Sequence, residues 1–269
     1  MAEKRVKKKK EGRDVIKQVP HRSVGGVNLP GYDESLGWEV YLERTGINTL
    51  ALCHDVSSIT TQSKTFYYRD KKGKKHKYTP DFIFHIAKVP HICEVKPVQF
   101  LLESETRKTL AMLTHLFQKE GFRFVFLTDD QLMHRNRDKN ITFIIRYKSH
   151  HISNQFISSL NSINDRIIKI ADLLPPNHAE NDLANVYAAI AQKQLCLTNW
   201  YKKVGIHSEV FLPSTNNRSL VYEEISNSGR YGHFLQKLVL EGGPEADRIV
   251  ASEKSKKQQI THYNPIAFF

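Results

Sequence analysis

Residues 78–97 read YTPDFIFHIAKVPHICEVKP and place charged side chains inside two apolar runs. Asp81 follows a proline at the head of the first run, and Glu94 and Lys96 lie in the second run, beginning thirteen positions later. The β-branched and aromatic residues on either side of AKVP favour two strands joined by a turn. Because alternate side chains of a strand face the same way, Glu94 and Lys96 project to one face while Val95 points into the core.

The position of the turn decides whether Asp81 shares that face. A turn centred near Lys88 and Val89 pairs Asp81 with Glu94, Val95 or Lys96, and a slip of one residue moves its side chain to the other face. A pairing with Glu94 or Lys96 brings two carboxylates together at a strand edge. Oxygen ligands of this kind suit Mg²⁺, which polarises a phosphate and activates water. Lys96 would orient that water or neutralise developing charge. For the Glu94–Lys96 spacing alone, the competing interpretation is a salt-bridged surface pair.

The flanking sequence predicts an α/β sheet. A helix is expected over LGWEVYLERTGINTLAL after Asp33, Glu34 and Ser35, and a strand over DVSSITTQSKTFYYR with a turn over RDKKGKKHK. After Pro97 the apolar period becomes helical in SETRKTLAMLTHLFQKEG. FRFVFLT reads as a buried strand and NITFIIRYK as a final strand. The order helix, three strands, helix, strand, strand indicates a mixed sheet flanked by helices.

The chain divides into three predicted segments. Residues 1–30 form a basic N-terminal arm, residues 31–150 hold the sheet, and residues 151–269 form a smaller, mainly helical domain of helix-turn-helix or winged-helix kind. The helices expected in that last segment cover residues 152–176, 181–195, 198–205 and 231–243.

The charge distribution favours a polyanionic partner. The net charge is +12, and the runs MAEKRVKKKK and KTFYYRDKKGKKHK carry six and seven basic residues with one acid each. Such runs are typical of nucleic-acid binding. The predicted phosphate contacts are Lys71, Lys72, Lys74 and Lys75.

Other classes of protein fit the sequence poorly. No apolar run reaches the roughly 20 residues that span a bilayer, so no membrane partner is expected. Cys53, Cys93 and Cys196 lie far apart without a CxxC motif, which indicates a reducing, cytoplasmic setting rather than a disulfide scaffold. The sequence contains neither an HExxH metal motif nor a GK[ST] phosphate loop.

Pro80-Asp81 with Glu94-Val95-Lys96 resembles the motif of the PD-(D/E)xK nuclease superfamily. That resemblance implies a restriction-endonuclease-like fold and a glutamate from the first helix as a further metal ligand, for which Glu39 and Glu43 are candidates. The stretches LERTGINTLALCHDVSSITTQ, YTPDFIF and CEVKP are similar to TnsA-type endonuclease subunits of heteromeric transposases, although Ser63 replaces the usual proline after Gln62. Matching them residue by residue puts the helix ligand at Glu43, with Glu39 as the runner-up.

The resemblance implies a Mg²⁺-dependent endonuclease in which Mn²⁺ substitutes. Glu43, Asp81 and Glu94 would hold the metal, and Lys96 would complete the catalytic set. TnsA-like subunits nick the 5′ ends of a transposon in double-stranded DNA. A TnsB-like transposase cuts and joins the 3′ ends, and a TnsC-like ATPase regulates the assembly. Such a protein would work in the bacterial cytoplasm in association with the nucleoid. The alternatives are a restriction-type or junction-resolving nuclease of the same fold, and a non-catalytic DNA-binding assembly protein.

Overall fold

The structure is a computed structural model of the chain. It describes residues 25–30, 35–38, 40–62, 64–69, 73–161, 163, 166–177, 179–214 and 218–229. Most of the predicted N-terminal arm and the predicted helix over residues 231–243 lie outside the described residues.

The described part of the chain contains eleven strands and eight α-helices. The strands are β1 Gly25–Val27, β2 Leu36–Trp38, β3 Val56–Thr61, β4 Phe66–Arg69, β5 Lys75–Tyr78, β6 Phe82–Ile86, β7 Val89–Val95, β8 Arg123–Leu127, β9 Ile168–Lys169, β10 Cys196–Leu197 and β11 Glu209–Phe211. The helices are α1 Tyr41–Leu52, α2 Val98–Leu101, α3 Ser104–Lys119, α4 Asp129–Leu132, α5 Arg135–Ile144, α6 Asn154–Leu160, α7 Glu180–Ala191 and α8 Tyr222–Ser226.

The central sheet has the strand order β3-β6-β7-β8. Strands β3, β6 and β7 pair antiparallel, whereas β8 runs parallel to β7. A parallel pair needs a long crossover, which α3 supplies. This mixed sheet with flanking helices is the restriction-endonuclease-like arrangement that the resemblance implied.

Side chains alternate across the sheet into two apolar clusters. On one side, Phe82 and Phe84 belong to a cluster with Ile47 and Leu50 of α1. On the other side, Ile83 and Ile92 join a cluster with Leu113 and Phe117 of α3. Strands β6 and β7 therefore pack on both faces, as their apolar runs predicted, whereas the buried apolar residues of β3 belong to the first cluster alone.

Helix α1 begins later than the sequence predicted and lies very close to the sheet. Leu36–Trp38, expected at its start, instead pairs as β2 with Gly25–Val27. A Cβ atom added at Gly46 would lie 2.9 Å from Cε2 of Phe82 and 3.6 Å from Cγ2 of Val95. Gly46 therefore sets how closely the helix approaches the two strands.

The prediction of a single strand over residues 55–69, followed by a basic turn, was wrong in the bounds of both elements. The first strand ends at Thr61, and the segment beyond it forms a separate two-stranded ribbon, β4 with β5. Residues 75–77 of the predicted turn therefore belong to a strand, Lys75–Tyr78.

The final strand predicted over residues 140–148 was also wrong, since Arg135–Ile144 is a helix. Its buried stripe includes Arg137 and Asn140 as well as Ile141 and Ile144. Asn140 Nδ2 donates to the carbonyl oxygens of Trp200 and Lys202, at 2.8 and 2.6 Å. Arg137 Nη1 donates to Tyr201 Oη at 3.0 Å. Partners some 60 positions away thus keep these polar side chains buried.

The described C-terminal residues combine helices with a three-stranded antiparallel sheet of order β10-β11-β9. The helix predicted over residues 181–195 is confirmed by α7. The one predicted over residues 152–176 is limited to α6, and residues 198–205 form turns and irregular chain rather than a helix.

The C-terminal residues share their apolar core with α1. Val186 and Ile190 of α7 belong to the same cluster as Ile47. Nearby, Lys148 Nζ donates to the carbonyl oxygen of Ala191 at 3.1 Å. No helix of the described residues is long and apolar enough to cross a membrane.

Candidate active site

A two-residue turn fixes the register between β6 and β7. Ala87 and Lys88 have φ values of 47° and 69°, as a turn of the type that favours hairpins requires at both central positions. The pairing runs from Ile86 opposite Val89 to Phe82 opposite Cys93. One step further along the same register, Asp81 lies opposite Glu94, so the pairing that the metal hypothesis needs is the one observed.

Asp81 immediately precedes β6 and is half-buried. Its Oδ2 accepts a hydrogen bond from the backbone N–H of Val95 at 2.8 Å, and its carbonyl oxygen accepts from the N–H of Gln62 at 3.1 Å. Burial raises the pKa of Asp81 well above its ordinary value, and the charges of Glu94 and then Glu43 raise it further. Asp81 thus experiences the charge of both other carboxylates.

Glu94 is only 7% exposed, so it is not half of a surface salt bridge. Lys96 Nζ lies 2.7 Å from its Oε1, and the Tyr78 hydroxyl donates to its Oε2. Burial, followed by the charge of Glu94, raises the pKa of Tyr78 well above its ordinary value. The phenol therefore remains a hydrogen-bond donor at neutral pH.

Lys96 is the cation of the group. Burial by itself would lower the pKa of its ammonium, but the charges of Glu94, Asp81 and Glu43 outweigh that effect and raise the pKa. Lys96 is therefore protonated at neutral pH.

Glu43 comes from the first turn of α1 and is buried. A carboxylate in the first turn is favoured by the positive end of the helix dipole. Its charge raises the pKa of both Asp81 and Lys96. Glu43 of α1 therefore interacts electrostatically with both residues. Glu39, the runner-up, lies outside the described residues. We call Glu43, Asp81, Glu94 and Lys96 the carboxylate cluster.

Residues 53–129 match the family model described as TnsA-like endonuclease N terminal. This part of the chain is TnsA-like. The match covers Asp81, Glu94 and Lys96, whereas Glu43 precedes it. It supports a nuclease of the transposase type, which works on DNA in a Tn7-type assembly. Among proteins with curated descriptions, none matches the chain.

The chemistry of the cluster suits a hard divalent cation. Three carboxylates face one ammonium, and carboxylate oxygens are the ligands that Mg²⁺ prefers. As the side chains stand, both Glu94 oxygens and one Asp81 oxygen are held by protein donors. Accordingly, no three His, Cys, Asp or Glu side chains of the described residues are arranged to hold a metal. A cation at the TnsA-like site would have to replace some of these donors.

Sequence reasoning missed two polar residues beside the cluster. Tyr78 opens the YTPDF motif, and its hydroxyl donates a hydrogen bond to the Glu94 carboxylate. Gln62 was noted only as part of the resemblance. Its Oε1 is buried and accepts no hydrogen bond from the described part of the chain, and its backbone bonds Asp81. In the sequence, the only indication of a role for Tyr78 and Gln62 was their place in the stretches that are similar to TnsA-type subunits.

Of the predicted phosphate contacts, Lys75 begins β5 and Lys74 immediately precedes it. Lys74 and Lys75 are exposed, and Lys71 and Lys72 lie outside the described residues.

Proposed function

We propose that the protein is a metal-dependent DNA endonuclease that nicks the 5′ ends of a transposon as the TnsA-like subunit of a heteromeric transposase. The observation that carries the proposal is the meeting of Asp81, Glu94 and the Lys96 ammonium within the TnsA-like segment, with the charge of Glu43 from α1 acting on both Asp81 and Lys96. Carboxyl groups that strongly perturb one another's pKa are typical of functional sites.

We assign the metal to Glu43, Asp81 and Glu94, with Mg²⁺ as the expected ion and Mn²⁺ as a substitute. When bound, the cation polarises the scissile phosphate and acidifies water. Asp81 changes protonation on metal binding, because its raised pKa favours the neutral acid without a cation and a ligand must be ionised.

Lys96 acts through its charge. Its position against Glu94 supports stabilisation of the negative charge that grows on the phosphate during cleavage.

The partners we propose are double-stranded DNA at the transposon ends, a TnsB-like transposase for the 3′ ends and a TnsC-like regulatory ATPase. The TnsA-like match supports this assembly. Nicking by the isolated chain should then be weak compared with nicking in the assembly.

The proposal is tested by nicking at transposon ends with the partner proteins present. Asp81→Asn and Glu94→Gln keep the shape of each side chain, and each should lower the nicking rate by about 100-fold or more while DNA binding persists. Glu105→Gln on the exposed face of α3 is the matched control and should nick normally. Normal nicking by the Asp81 and Glu94 variants would eliminate the nuclease assignment.

A second comparison identifies the helix ligand. Glu43→Gln should abolish nicking and Glu39→Gln should preserve it. The reverse result would move the metal ligand to Glu39. Efficient cleavage by the lone chain would favour a restriction-type or junction-resolving enzyme instead.

A further inference from the structure

The ribbon β4–β5 has two chemically different faces. Its register pairs Phe66 with Tyr78, Tyr67 with Lys77, Tyr68 with His76 and Arg69 with Lys75. Because alternate residues share a face, one side carries the residues of the first and third pairs, and the other side carries those of the second and fourth.

The inner face anchors the ribbon to the domain. The Phe66 ring packs edge-on against Phe117 of α3, with centroids 4.7 Å apart, and the Tyr78 ring lies 5.6 Å from Phe117. Tyr68 stacks on His76 at 5.2 Å. These contacts hold the ribbon at a fixed place beside the carboxylate cluster.

The outer face consists of Tyr67, Arg69, Lys75 and Lys77, and all four side chains are exposed. Tyr67 is 79% exposed, which is unusual for so large an aromatic ring. The described residues of the two strands include no acid, so the face is wholly cationic apart from the ring. Arg69 Nη1 donates to the carbonyl oxygen of Gly73 at 2.8 Å, which steadies the guanidinium near the turn. We call these four residues the outer ribbon face.

We propose that the outer ribbon face docks into the major groove of double-stranded DNA. The three cations complement the phosphates on the two sides of the groove. Tyr67, which lies opposite Lys77 and two residues before Arg69 on the same face, contacts the base edges. A two-stranded β-ribbon fits the major groove of B-form DNA, which is about 12 Å wide. The deep, narrow major groove of A-form RNA excludes it. This inference rests on the proposed function, since it identifies how the nuclease holds its substrate.

The ribbon lies at a useful distance from the carboxylate cluster. Tyr78, the last residue of β5, bonds Glu94 directly. Lys75 precedes it by three residues, or about 10 Å of extended strand. That length corresponds to roughly three base-pair steps at 3.4 Å each. Measured along the strand, the proposed DNA contacts are therefore separated from the carboxylate cluster by only a few base-pair steps.

The outer ribbon face differs from the phosphate contacts that the sequence predicted. Of the lysines chosen there, only Lys75 belongs to it. Tyr67, Arg69 and Lys77 acquire their role from the register of the ribbon, which places them side by side with Lys75.

The first test measures the salt dependence of DNA binding. The full-length chain carries Asp81→Asn, which prevents cleavage, and binds a labelled random-sequence duplex. Adding Lys75→Gln with Lys77→Gln should weaken binding by about tenfold and make the slope of log K against log salt shallower by about 1.8. The matched control, Lys88→Gln with Lys119→Gln, removes the same charge from exposed positions that are not part of the outer ribbon face and should change neither quantity.

The second test locates Tyr67 in the groove. 5-Iodouracil replaces thymine in the duplex, which puts the iodine at the thymine methyl position in the major groove. Irradiation should crosslink the DNA to Tyr67, and Tyr67→Leu should remove that crosslink without lowering Tm. A duplex RNA of the same sequence should bind the chain more weakly than the DNA, and the ribbon variant should abolish the difference.

Three results would overturn the inference: lysine variants that bind like the control, crosslinks that never involve Tyr67, and duplex RNA bound as tightly as DNA. These outcomes are separable from failure of the proposed function. If the ribbon variants lose DNA binding but the chain never nicks transposon ends in the assembly, only the nuclease proposal falls. If the chain nicks and the ribbon variants bind and nick normally, only the ribbon inference falls.

Discussion

Gly46 is the point where the position of α1 can be tested most sharply. In Gly46→Ala the new Cβ would lie 2.9 Å from Cε2 of Phe82, at least about 0.6 Å inside an optimal carbon–carbon contact. Phe82 is fully buried and follows Asp81, so its ring has little room to move. The helix must then shift outward, and Glu43 on its first turn shifts with it.

Two opposing terms set the size of the effect. Overpacking a core costs about 1–3 kcal/mol, whereas alanine in place of glycine stabilises a helix by about 1 kcal/mol. We expect a net loss of about 1 kcal/mol in the free energy of unfolding, which corresponds to a Tm lower by roughly 2–4 °C for a chain of this size. Gly46→Val adds further volume and should lose more.

Urea denaturation measures the free energy of unfolding. A separate assay measures the nicking rate of the native variant in the assembled transposase. A displacement of several tenths of an ångström at Glu43 should lower nicking by about tenfold, because catalytic geometry tolerates little error. Gly205→Ala is the matched control, since a Cβ atom added there would meet nothing within 4 Å; it should stay within about 0.5 kcal/mol of the parent. If Gly46→Ala instead gained the full 1 kcal/mol of helix propensity, the close approach of α1 to the sheet would be refuted.

Three further changes probe buried polar groups. At pH values above 3.8, the ordinary value for this carboxyl group, Asp81→Asn should raise Tm. The reason is that, as the pH rises, Asp81 loses its proton in the unfolded chain before it does so in the folded chain, which destabilises the parent protein. The gain in Tm should vanish at lower pH, and a gain that does not depend on pH would contradict the raised pKa of Asp81. Tyr78→Phe should cost about 1.5–3 kcal/mol in urea denaturation, since it removes a hydrogen bond to the Glu94 carboxylate, and unchanged stability would argue against that contact. Burial, with the charge of Lys193, lowers the pKa of Lys148 to about 8 from 10.5, so stability should rise between these pH values as the folded protein releases its proton first. Lys148→Met should flatten that rise in a series of Tm measurements, and an identical profile would exclude Lys148 as its source.

The β6–β7 hairpin shows how much the local sequence specifies. Its apolar runs, its short turn and the alternation of side chains predicted that Glu94 and Lys96 share a face. They also limited Asp81 to three pairings. The positive φ values of Ala87 and Lys88 then select the one that joins Asp81 to Glu94.

Helix α5 shows where sequence reasoning failed. The run ITFII has a high strand propensity and suggested a strand. The buried positions nevertheless follow a helical spacing, at Arg137, Asn140, Ile141 and Ile144. Two of these four are polar, so the helical stripe was not visible as an apolar pattern. Distant hydrogen-bond partners make their burial possible, which overrides local propensity.

The amino-acid sequence determined the order of the central elements and the face shared by Glu94 and Lys96, because both follow from periodicity and turn chemistry within a short stretch. Tertiary structure alone decided that Glu43 acts on Asp81, that Tyr78 caps Glu94 and that the ribbon has a cationic outer face. These contacts join groups on different elements, whose approach is set by packing such as that of Gly46 on Phe82. Packing between elements leaves no periodic trace in the chain, so periodicity could not have revealed these contacts. Only the resemblance of the motifs pointed to Glu43 and Tyr78.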